Sequence, residues 1–306
     1  MRCTSLLLLL CILNCITLVF TICTVNEQER APGDHLDCFN ASMEAIMNHT
    51  KTDVLTIMIL KSHLPYIRAR AFLKYARSVQ SLNINNCNVS NIDPAAFEGL
   101  VSLKKLSLSN NKITAVREEW FKDTVYLEQL DLSFNQISKF EPAIFGRLLL
   151  LKRFDVRENL LTCLDPFVLP GGIDKVYFSG NPLTFKCRGK LTLWMRDHGV
   201  NYRTEQSQKE AWLDKLLWLC AINDEKVAES EDLMKECVIL NLFNQLRTGL
   251  STAESYPLQD VSQECVNARN LLTDCIVTDT RKYDTFTNGN VIKNLLLYLY
   301  QAKSSI

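Results

Sequence analysis

The sequence has no excess of charge of either sign, because 34 lysine and arginine residues balance 34 aspartate and glutamate residues in 306 positions. Nucleic acids and anionic membrane surfaces usually require a basic face, so this balance argues against both as partners. Histidine is scarce, and none of the four histidines has a metal-ligand spacing such as H-E-x-x-H. The sequence also lacks a G-x-S-x-G turn, a phosphate-binding loop and a C-x-x-C pair. We therefore expect a protein that is not an enzyme, with no catalytic residues, cofactor or metal. The histidines are His35, His49, His63 and His198.

Long apolar runs are scarce as well. One run covers residues 6–22, follows the single basic residue Arg2 and is followed by polar residues. This order is typical of a secretory signal peptide, which we predict for residues 1–24. The alternative is an uncleaved membrane anchor. A later apolar run, residues 291–300, is too short to cross a bilayer, so we expect no membrane span once the leader is removed.

Cysteines and glycosylation sequons indicate an exported chain. An even number of cysteines in an exported protein favours disulfides. Three N-x-S/T sequons begin at Asn40, Asn48 and Asn88, and we predict glycosylation at these asparagines. Together with the leader, these features predict a secreted, extracellular protein. The cysteines that follow the predicted leader are Cys38, Cys87, Cys163, Cys187, Cys220, Cys237, Cys265 and Cys275.

The most regular feature of the chain is a repeat of the form L-x-x-L-x-L-x-x-N-x-L. Successive copies are separated by 25, 24, 24, 24 and 22 residues, a spacing that is typical of leucine-rich repeats. We predict an α/β solenoid over residues 54–183, a horseshoe with a parallel sheet on its concave face, preceded by an N-terminal cap over residues 25–53. The six copies begin at Val54, Val79, Leu103, Leu127, Leu151 and Ile173.

The spacing has a physical cause. Both leucines of L-x-L lie on one side of a short strand and fill the core, whereas the middle residue points away. The asparagine points inward and can satisfy backbone groups of the adjoining turn. Ser62 and Cys87 replace this asparagine in the first two repeats, and Cys87 is either a buried thiol or a disulfide partner. We expect the recurring aromatics to pack the convex side of the core: Phe72, Phe97, Phe121, Phe145 and Phe167.

The middle strand positions offer a surface for binding proteins. They are neutral in the early repeats and charged or aromatic in the later ones, and arginine and aromatic residues often anchor interfaces. The alternatives are a solvated face of paired charges and, for Asp131 and Asp155, a paired-carboxylate site. The helical region is a rival binding site. The predicted concave contact residues are Gln129, Asp131, Phe134, Arg153, Asp155, Arg157, Glu158, Lys175 and Tyr177.

Residues 205–306 predict a small helical domain. A capping box, Ser207-x-x-Glu210, opens the first helix, with Trp212, Leu213, Leu216, Leu217 and Cys220 inward. A second helix, about 230–247, has Leu233, Cys237, Leu240 and Phe243 inward. Third and fourth helices are predicted after Pro257 and Asn288-Gly289; the third has about two heptads, which leaves a coiled coil as the alternative. If the second and third helices form an antiparallel hairpin, Cys237 pairs with Cys275 and not with Cys265.

The segment Asn181-Pro182 to Trp194 resembles the C-terminal flanking cap of extracellular leucine-rich repeats. In that cap Asn-Pro is followed by Cys-x-Cys and a Leu-x-x-Trp helix. Cys187 matches the second cysteine, whereas Phe185 replaces the first. The resemblance implies a cap over residues 184–204 and makes a Cys163–Cys187 bond plausible.

The N-terminal repeats resemble those of mosquito leucine-rich immune proteins. The resemblance rests on Val54-Leu-Thr-Ile-Met-Ile before His63-Leu-Pro-Tyr-Ile, and on Val79-Gln-Ser-Leu-Asn-Ile before Ile92-Asp-Pro-Ala-Ala-Phe. It covers about residues 54–194. It implies innate-immune proteins of haemolymph that bind complement-like thioester proteins, often as disulfide-linked dimers, and this chain would be a shortened relative because the long family coiled coil is missing. Cys38 is the predicted linking thiol, the alternative being a bond within the chain.

Three function classes follow from these features. The first is innate-immune recognition or scaffolding in body fluid by a secreted protein-binding module. The second is adhesion or matrix binding outside the cell, and the third is a secreted inhibitor or decoy. Expression induced by infection favours the first class, and stable association with cells or matrix favours the second.

Overall fold

A computed structural model describes residues 22–27, 34–200, 208–223, 225–238 and 241. These residues belong to two compact units. The repeat unit contains the described residues up to Leu183 and those from Met195 to residue 200. The helical unit contains Thr184–Trp194 and the described residues from Gln208 onward. Most of the predicted leader lies outside the described residues.

The repeat unit is built on a parallel sheet, which confirms the predicted leucine-rich-repeat solenoid. Eight of the described strands form this sheet in the order β1-β2-β3-β5-β7-β8-β9-β10, and β4 pairs with β6 in a second, two-stranded sheet. Only the β1–β2 pair of these strands is antiparallel. The strands are β1 Ile22–Glu27, β2 Asp34–Phe39, β3 Thr56–Leu60, β4 Tyr66–Ile67, β5 Ser81–Asn85, β6 Asn91–Ile92, β7 Lys105–Ser107, β8 Gln129–Asp131, β9 Arg153–Asp155 and β10 Lys175–Tyr177.

Strand register follows from the leucine spacing. Each predicted repeat places a strand two residues after its first residue, so equivalent leucines align across the sheet. Leu106 pairs with Leu130, Leu130 with Phe154, and Phe154 with Val176. All four side chains are buried. The two-residue alternation of a strand therefore directs one apolar side chain per repeat into a continuous core.

The convex side consists of short helical segments. They are α1 Met43–Asn48, α2 Ala143–Arg147 and 3₁₀ turns at Leu73–Tyr75, Glu118–Phe121 and Pro166–Val168. Four of the five predicted core aromatics are buried, but Phe167 is 78% exposed, so that prediction is wrong. Asp165 accepts a hydrogen bond from the Phe167 amide at 3.0 Å, and this turn buries Pro166 in its place. The confirmed aromatics are Phe72, Phe97, Phe121 and Phe145.

The repeat asparagines form a hydrogen-bonded ladder through the core. The Nδ2 of Asn135 donates to Leu108 O at 2.9 Å and to Leu132 O at 3.0 Å, which links two neighbouring repeats. Asn111, Asn159 and Asn181 make equivalent bonds. The predicted inward role of the asparagines is confirmed.

Ser62 and Cys87 replace the ladder asparagine with smaller donors. The Ser62 hydroxyl donates to Leu60 O at 3.1 Å and accepts from the Ala41 amide at 2.9 Å. Cys87 is a buried free thiol, 3.2 Å from Asn85 O, and burial raises its pKa. The interpretation of Cys87 as a reduced structural residue is confirmed.

The N-terminal hairpin overturns the prediction for Cys38. Strands β1 and β2 place Cys23 directly opposite Cys38, and the two cysteines form a disulfide. Cys38 has no exposed surface and is not an accessible thiol that could link two chains. Cleavage after residue 24 would remove one partner of this disulfide, so the predicted leader boundary conflicts with the hairpin.

The helical unit is held by a small core and a disulfide. Its elements are α3 Phe185–Asp197, most of which belongs to this unit, α4 Gln208–Asn223, α5 Glu225–Glu229 and helical residues 231–238. Leu216, Leu217, Cys220, Met234 and Val238 are buried together. Leu233 was predicted to face inward but is 43% exposed, because Met234 takes the inward position.

Cys237 pairs with Cys220, so the predicted Cys237–Cys275 bond is wrong. The short helix α5 lets the chain turn between α4 and residues 231–238, which brings together two cysteines only 17 residues apart. Cys275, Cys265 and the predicted third and fourth helices lie outside the described residues.

Polar contacts fix helix α3 within the helical unit. Glu231 accepts from the amides of Phe185 and Lys186 at 3.2 and 2.8 Å, which satisfies donors at the helix N-terminus. Arg188 donates to Asp214 at 2.5 Å, and both side chains are buried. Within the described part of the chain, no helix is both long and apolar enough to cross a membrane.

Candidate protein-binding face

Six of the nine predicted contact residues lie on three adjacent strands, β8, β9 and β10. Strand register aligns Gln129 with Arg153 and Arg153 with Lys175. A second column runs from Ser107 through Asp131 and Asp155 to Tyr177. Because these strands are parallel and in register, equivalent side chains lie about 4.8 Å apart along the sheet. The register confirms that these strand positions lie side by side, and their contact with a partner stays a prediction.

Each of the two aspartates in the second column has its own set of donors. Asp131 accepts from the Ser107 hydroxyl at 3.0 Å and from the Ser133 hydroxyl at 2.7 Å. Asp155 accepts from Arg157 through two bonds, Nε–Oδ1 at 3.0 Å and Nη2–Oδ2 at 2.6 Å. Such bidentate pairs are strong and directional. The donors neutralise Asp155 locally and fix the side chains of this face in place.

The ring of Tyr177 packs against the guanidinium groups of two arginines of this face. Its side chain is only 2% exposed, and the guanidinium carbons of Arg153 and Arg157 lie 4.6 and 5.2 Å from its ring centroid. Cation–π attraction orients both guanidinium groups. The prediction counted Tyr177 as a contact residue, but its burial makes it a support for the two arginines. Asp155, at 2% exposed, has the same supporting role.

Phe134 and Glu158 extend the face along one edge of the sheet. Both precede a ladder asparagine, and both have left-handed backbone conformations, with φ of 54° and 52°. The equivalent residues Lys61, Asn86, Asn110 and Gly180 also have positive φ. Asparagine and glycine adopt this conformation readily, whereas a bulky side chain there is an outlier. Phe134 is nevertheless 48% exposed, which makes it an aromatic displayed to solvent at a conformational cost.

Sequence reasoning missed this left-handed column. The usable signal was the residue immediately before each ladder asparagine, since asparagine or glycine fills that position in three repeats. Lys61, Phe134 and Glu158 fill the other three positions, and Phe134 is the aromatic residue among them. A residue type that disfavours a recurring backbone conformation marks a candidate functional position.

A second concave feature lies at the small β4–β6 sheet. It is a shallow, open depression with a volume of about 380 Å³. The Tyr66 hydroxyl donates to Asp93 at 2.9 Å, and this bond raises the pKa of Tyr66. Since these polar groups already satisfy each other, the concave strands remain the better candidate. The cleft is lined by Tyr66, Asn91, Ile92, Asp93, Pro94 and Arg117.

The other predicted sites are the glycosylation sequons and the paired cysteines. The sequon asparagines Asn40, Asn48 and Asn88 are all exposed. Cys163 and Cys187 are each disulfide-bonded. Among the residues that the structure describes, no group of three or more histidine, cysteine or carboxylate side chains is arranged to hold a metal ion.

Comparison with known proteins concerns the repeat unit. Residues 77–137 match the family model described as "Leucine rich repeat". Among solved structures, the complex of TLR13 with ssRNA13 is similar, with 21% identity and a TM-score of 0.45 over 54% of this chain. The chain spans about a quarter of that protein, 24% of its length. No curated protein matches. Residues 77–137 therefore match the leucine rich repeat family, and the fold that contains them is a leucine-rich-repeat solenoid.

Proposed function

We propose that the chain is a secreted protein-binding module of innate immunity, which recognises or scaffolds proteins in body fluid through the concave strands of its last three repeats. The observation that carries the binding site is Phe134. A solenoid sheet offers a broad, rigid surface, and that fold is typical of protein-binding modules. Phe134 stands at the edge of this surface, beside the ordered arginines.

The energetic argument begins with the conformation of Phe134. A left-handed backbone costs a non-glycine residue about 1–2 kcal/mol. Exposing about half of an aromatic ring also forgoes hydrophobic stabilisation. Folding therefore gains little from this residue, whereas a partner that covers the ring would gain the remaining burial. Aromatic residues are enriched among the few side chains that dominate binding energy.

The neighbouring charges are preorganised for the same partner. Arg153 and Arg157 are held over Tyr177, and Asp155 anchors Arg157. A side chain that is already ordered loses less conformational entropy when a partner binds. Exposed Lys175 and Glu158 add charges of both signs at the rim, which supports a protein ligand over a polyanion.

Secretion and the immune role have separate support. The Cys23–Cys38 and Cys220–Cys237 disulfides suit an oxidising compartment. Exposed sequons at Asn40, Asn48 and Asn88 are accessible for glycosylation. The likeness of the first repeats to mosquito leucine-rich immune proteins supports a complement-like thioester protein as the partner class.

The test is capture from body fluid by the secreted full-length chain, followed by mass spectrometry. Phe134→Asn is the decisive variant, because asparagine occupies the equivalent position in two other repeats. Phe167→Asn is the matched control, an exposed aromatic outside the concave face. We expect Phe134→Asn to weaken capture by at least about tenfold, a typical loss for an anchoring aromatic, while the control captures normally.

The outcome also separates the function classes. Capture of a thioester protein supports the immune proposal. Retention on cells or matrix would indicate adhesion, and inhibition of a captured protease or receptor would indicate a decoy. Unchanged capture by Phe134→Asn would contradict the concave site.

A further inference from the structure

A stripe of exposed apolar side chains runs along the edge of the repeat unit where the chain enters the concave strands. We call it the turn-tip stripe, and it comes from three consecutive repeats. Its side chains are between 47% and 68% exposed. None of them belongs to the concave face. The stripe consists of Val101, Val125, Tyr126, Leu149 and Leu150.

Turn geometry explains why these side chains protrude. In each repeat the first core leucine donates its amide to the carbonyl three residues earlier: Leu103 to Leu100 O, Leu127 to Thr124 O and Leu151 to Leu148 O, at 3.1–3.2 Å. The two residues between donor and acceptor are the central residues of a turn. They point away from the core in all three repeats.

The composition of these turns is unusual for a surface exposed only to water. Glycine, asparagine, aspartate and serine normally fill turn centres. The last such turn of the unit has Gly171-Gly172, and a wider turn before Val79, closed by the bond from the Val79 amide to Tyr75 O, has Ala76-Arg77-Ser78. Five of the six central residues of the three middle turns are thus apolar or aromatic, Ser102 being the sixth, and the turns on both sides have polar or small residues. A confined apolar patch with polar edges is typical of an interaction site.

We propose that the turn-tip stripe binds an amphipathic helix of a partner protein, with acidic residues beside its apolar face. Neighbouring repeats are about 4.8 Å apart, close to the 5.4 Å pitch of an α-helix, so apolar residues one turn apart can contact successive tips. Alternate residues of an extended strand are about 6.7 Å apart and lose this match by the third repeat.

The charges beside the stripe specify the flanks of the helix. Lys104 is exposed three residues after Val101, immediately before its strand, whereas Lys105 is in register with Gln129 of the concave face. The nearby acidic residues are already engaged: Glu128 pairs with Lys152 at 3.2 Å, and Glu98 pairs with Arg70 at 2.8 Å. The border of the stripe therefore favours glutamate or aspartate on the partner.

The experiment uses the full chain and a stapled amphipathic peptide of about four helical turns, with leucines along one face and glutamates on both flanks. The same composition in scrambled order is the control peptide. We expect saturable binding of the ordered peptide, at least tenfold weaker binding to Val125→Asp/Leu149→Asp, and unchanged binding to Phe167→Asp. Lys104→Glu weakens binding of the acidic peptide and strengthens binding of a lysine-flanked version.

Because the stripe is exposed, these variants keep the wild-type melting temperature, and Tyr126→Ser provides a milder variant of the same surface. Equal binding of ordered and scrambled peptides would overturn the proposal, as would full binding by the double variant. Sedimentation equilibrium measures the oligomeric state of the same variants. A wild-type dimer that the double variant abolishes would show that the stripe binds a second copy of this chain and would overturn the partner-helix proposal. The concave variant Phe134→Asn leaves peptide binding intact, so this test is independent of the proposed function.

Discussion

Replacing Asn135 by alanine tests whether the asparagine ladder stabilises the repeat unit. The Asn135 side chain is buried, and its Nδ2 donates to the carbonyls of Leu108, Leu132 and Ser133 at 2.9, 3.0 and 3.2 Å. Its Oδ1 accepts from the Ile113 amide at 3.0 Å. Alanine removes all four bonds and leaves the backbone in place.

The cost follows from which groups lose their partners. Leu108 O and Leu132 O each keep a bond from a neighbouring ladder asparagine, at 2.9 Å in both cases. The Ile113 amide loses its side-chain acceptor in a buried environment, which costs about 1–3 kcal/mol. The two lost N–H donors add about 1 kcal/mol each, so the expected loss is about 3–5 kcal/mol.

Thermal unfolding measures this loss directly. In a unit of this size 1 kcal/mol corresponds to about 2–4 °C, so Asn135→Ala should melt about 6–20 °C below the wild-type chain. Lys112→Ala, an exposed neighbour, is the control and should melt within about 1–2 °C of wild type. Asn135→Cys should recover part of the loss, because Cys87 fills the equivalent position with a thiol 3.2 Å from a carbonyl. Equal melting temperatures for Asn135→Ala and Lys112→Ala would refute the reasoning.

Other variants test other parts of the structure. Asp214→Ala removes the carboxylate that pairs with buried Arg188 and should destabilise the helical unit by about 3–5 kcal/mol in urea unfolding; a loss below about 1 kcal/mol would contradict a stabilising role of the pair. Cys38→Ser opens a loop of 15 residues closed by Cys23 and should cost about 3 kcal/mol, with a monomer on non-reducing gels before and after; a wild-type dimer that Cys38→Ser abolishes would contradict the hairpin disulfide. Phe134→Asn should change the free energy of unfolding by less than about 1 kcal/mol, because relief of the left-handed conformation offsets the lost half-buried ring, and a larger loss would identify a core residue.

The solenoid could be predicted from the sequence because the repeat period determines which residues pair across the sheet. Leu106 and Leu130 are 24 residues apart and pair across the sheet as the period requires. The same period placed the ladder asparagines inward and identified Cys87 as their replacement. Contacts that recur in every repeat are set by local spacing, and local spacing is visible in the sequence.

Contacts that occur once were not visible in the same way. The burial of Tyr177 depends on two arginines that converge on its ring, and the partner of Cys38 lies in a strand assigned to the leader. The prediction for Cys237 assumed a hairpin between the second and third predicted helices. In the structure the five-residue helix α5 turns the chain before that point. Phe167 is exposed because the fifth repeat, residues 151–172, is two residues shorter and Pro166 takes its place.

Photocrosslinking from residue 134 tests the central claim most directly. The full-length chain is made with p-benzoylphenylalanine at this position, and separately at residue 167 as an exposed control, and each is irradiated in body fluid. Our account predicts a covalent adduct with one captured protein from position 134, competed by the wild-type chain but not by Phe134→Asn, and no such adduct from position 167. An adduct with that protein from position 167 and none from position 134 would contradict the concave binding face.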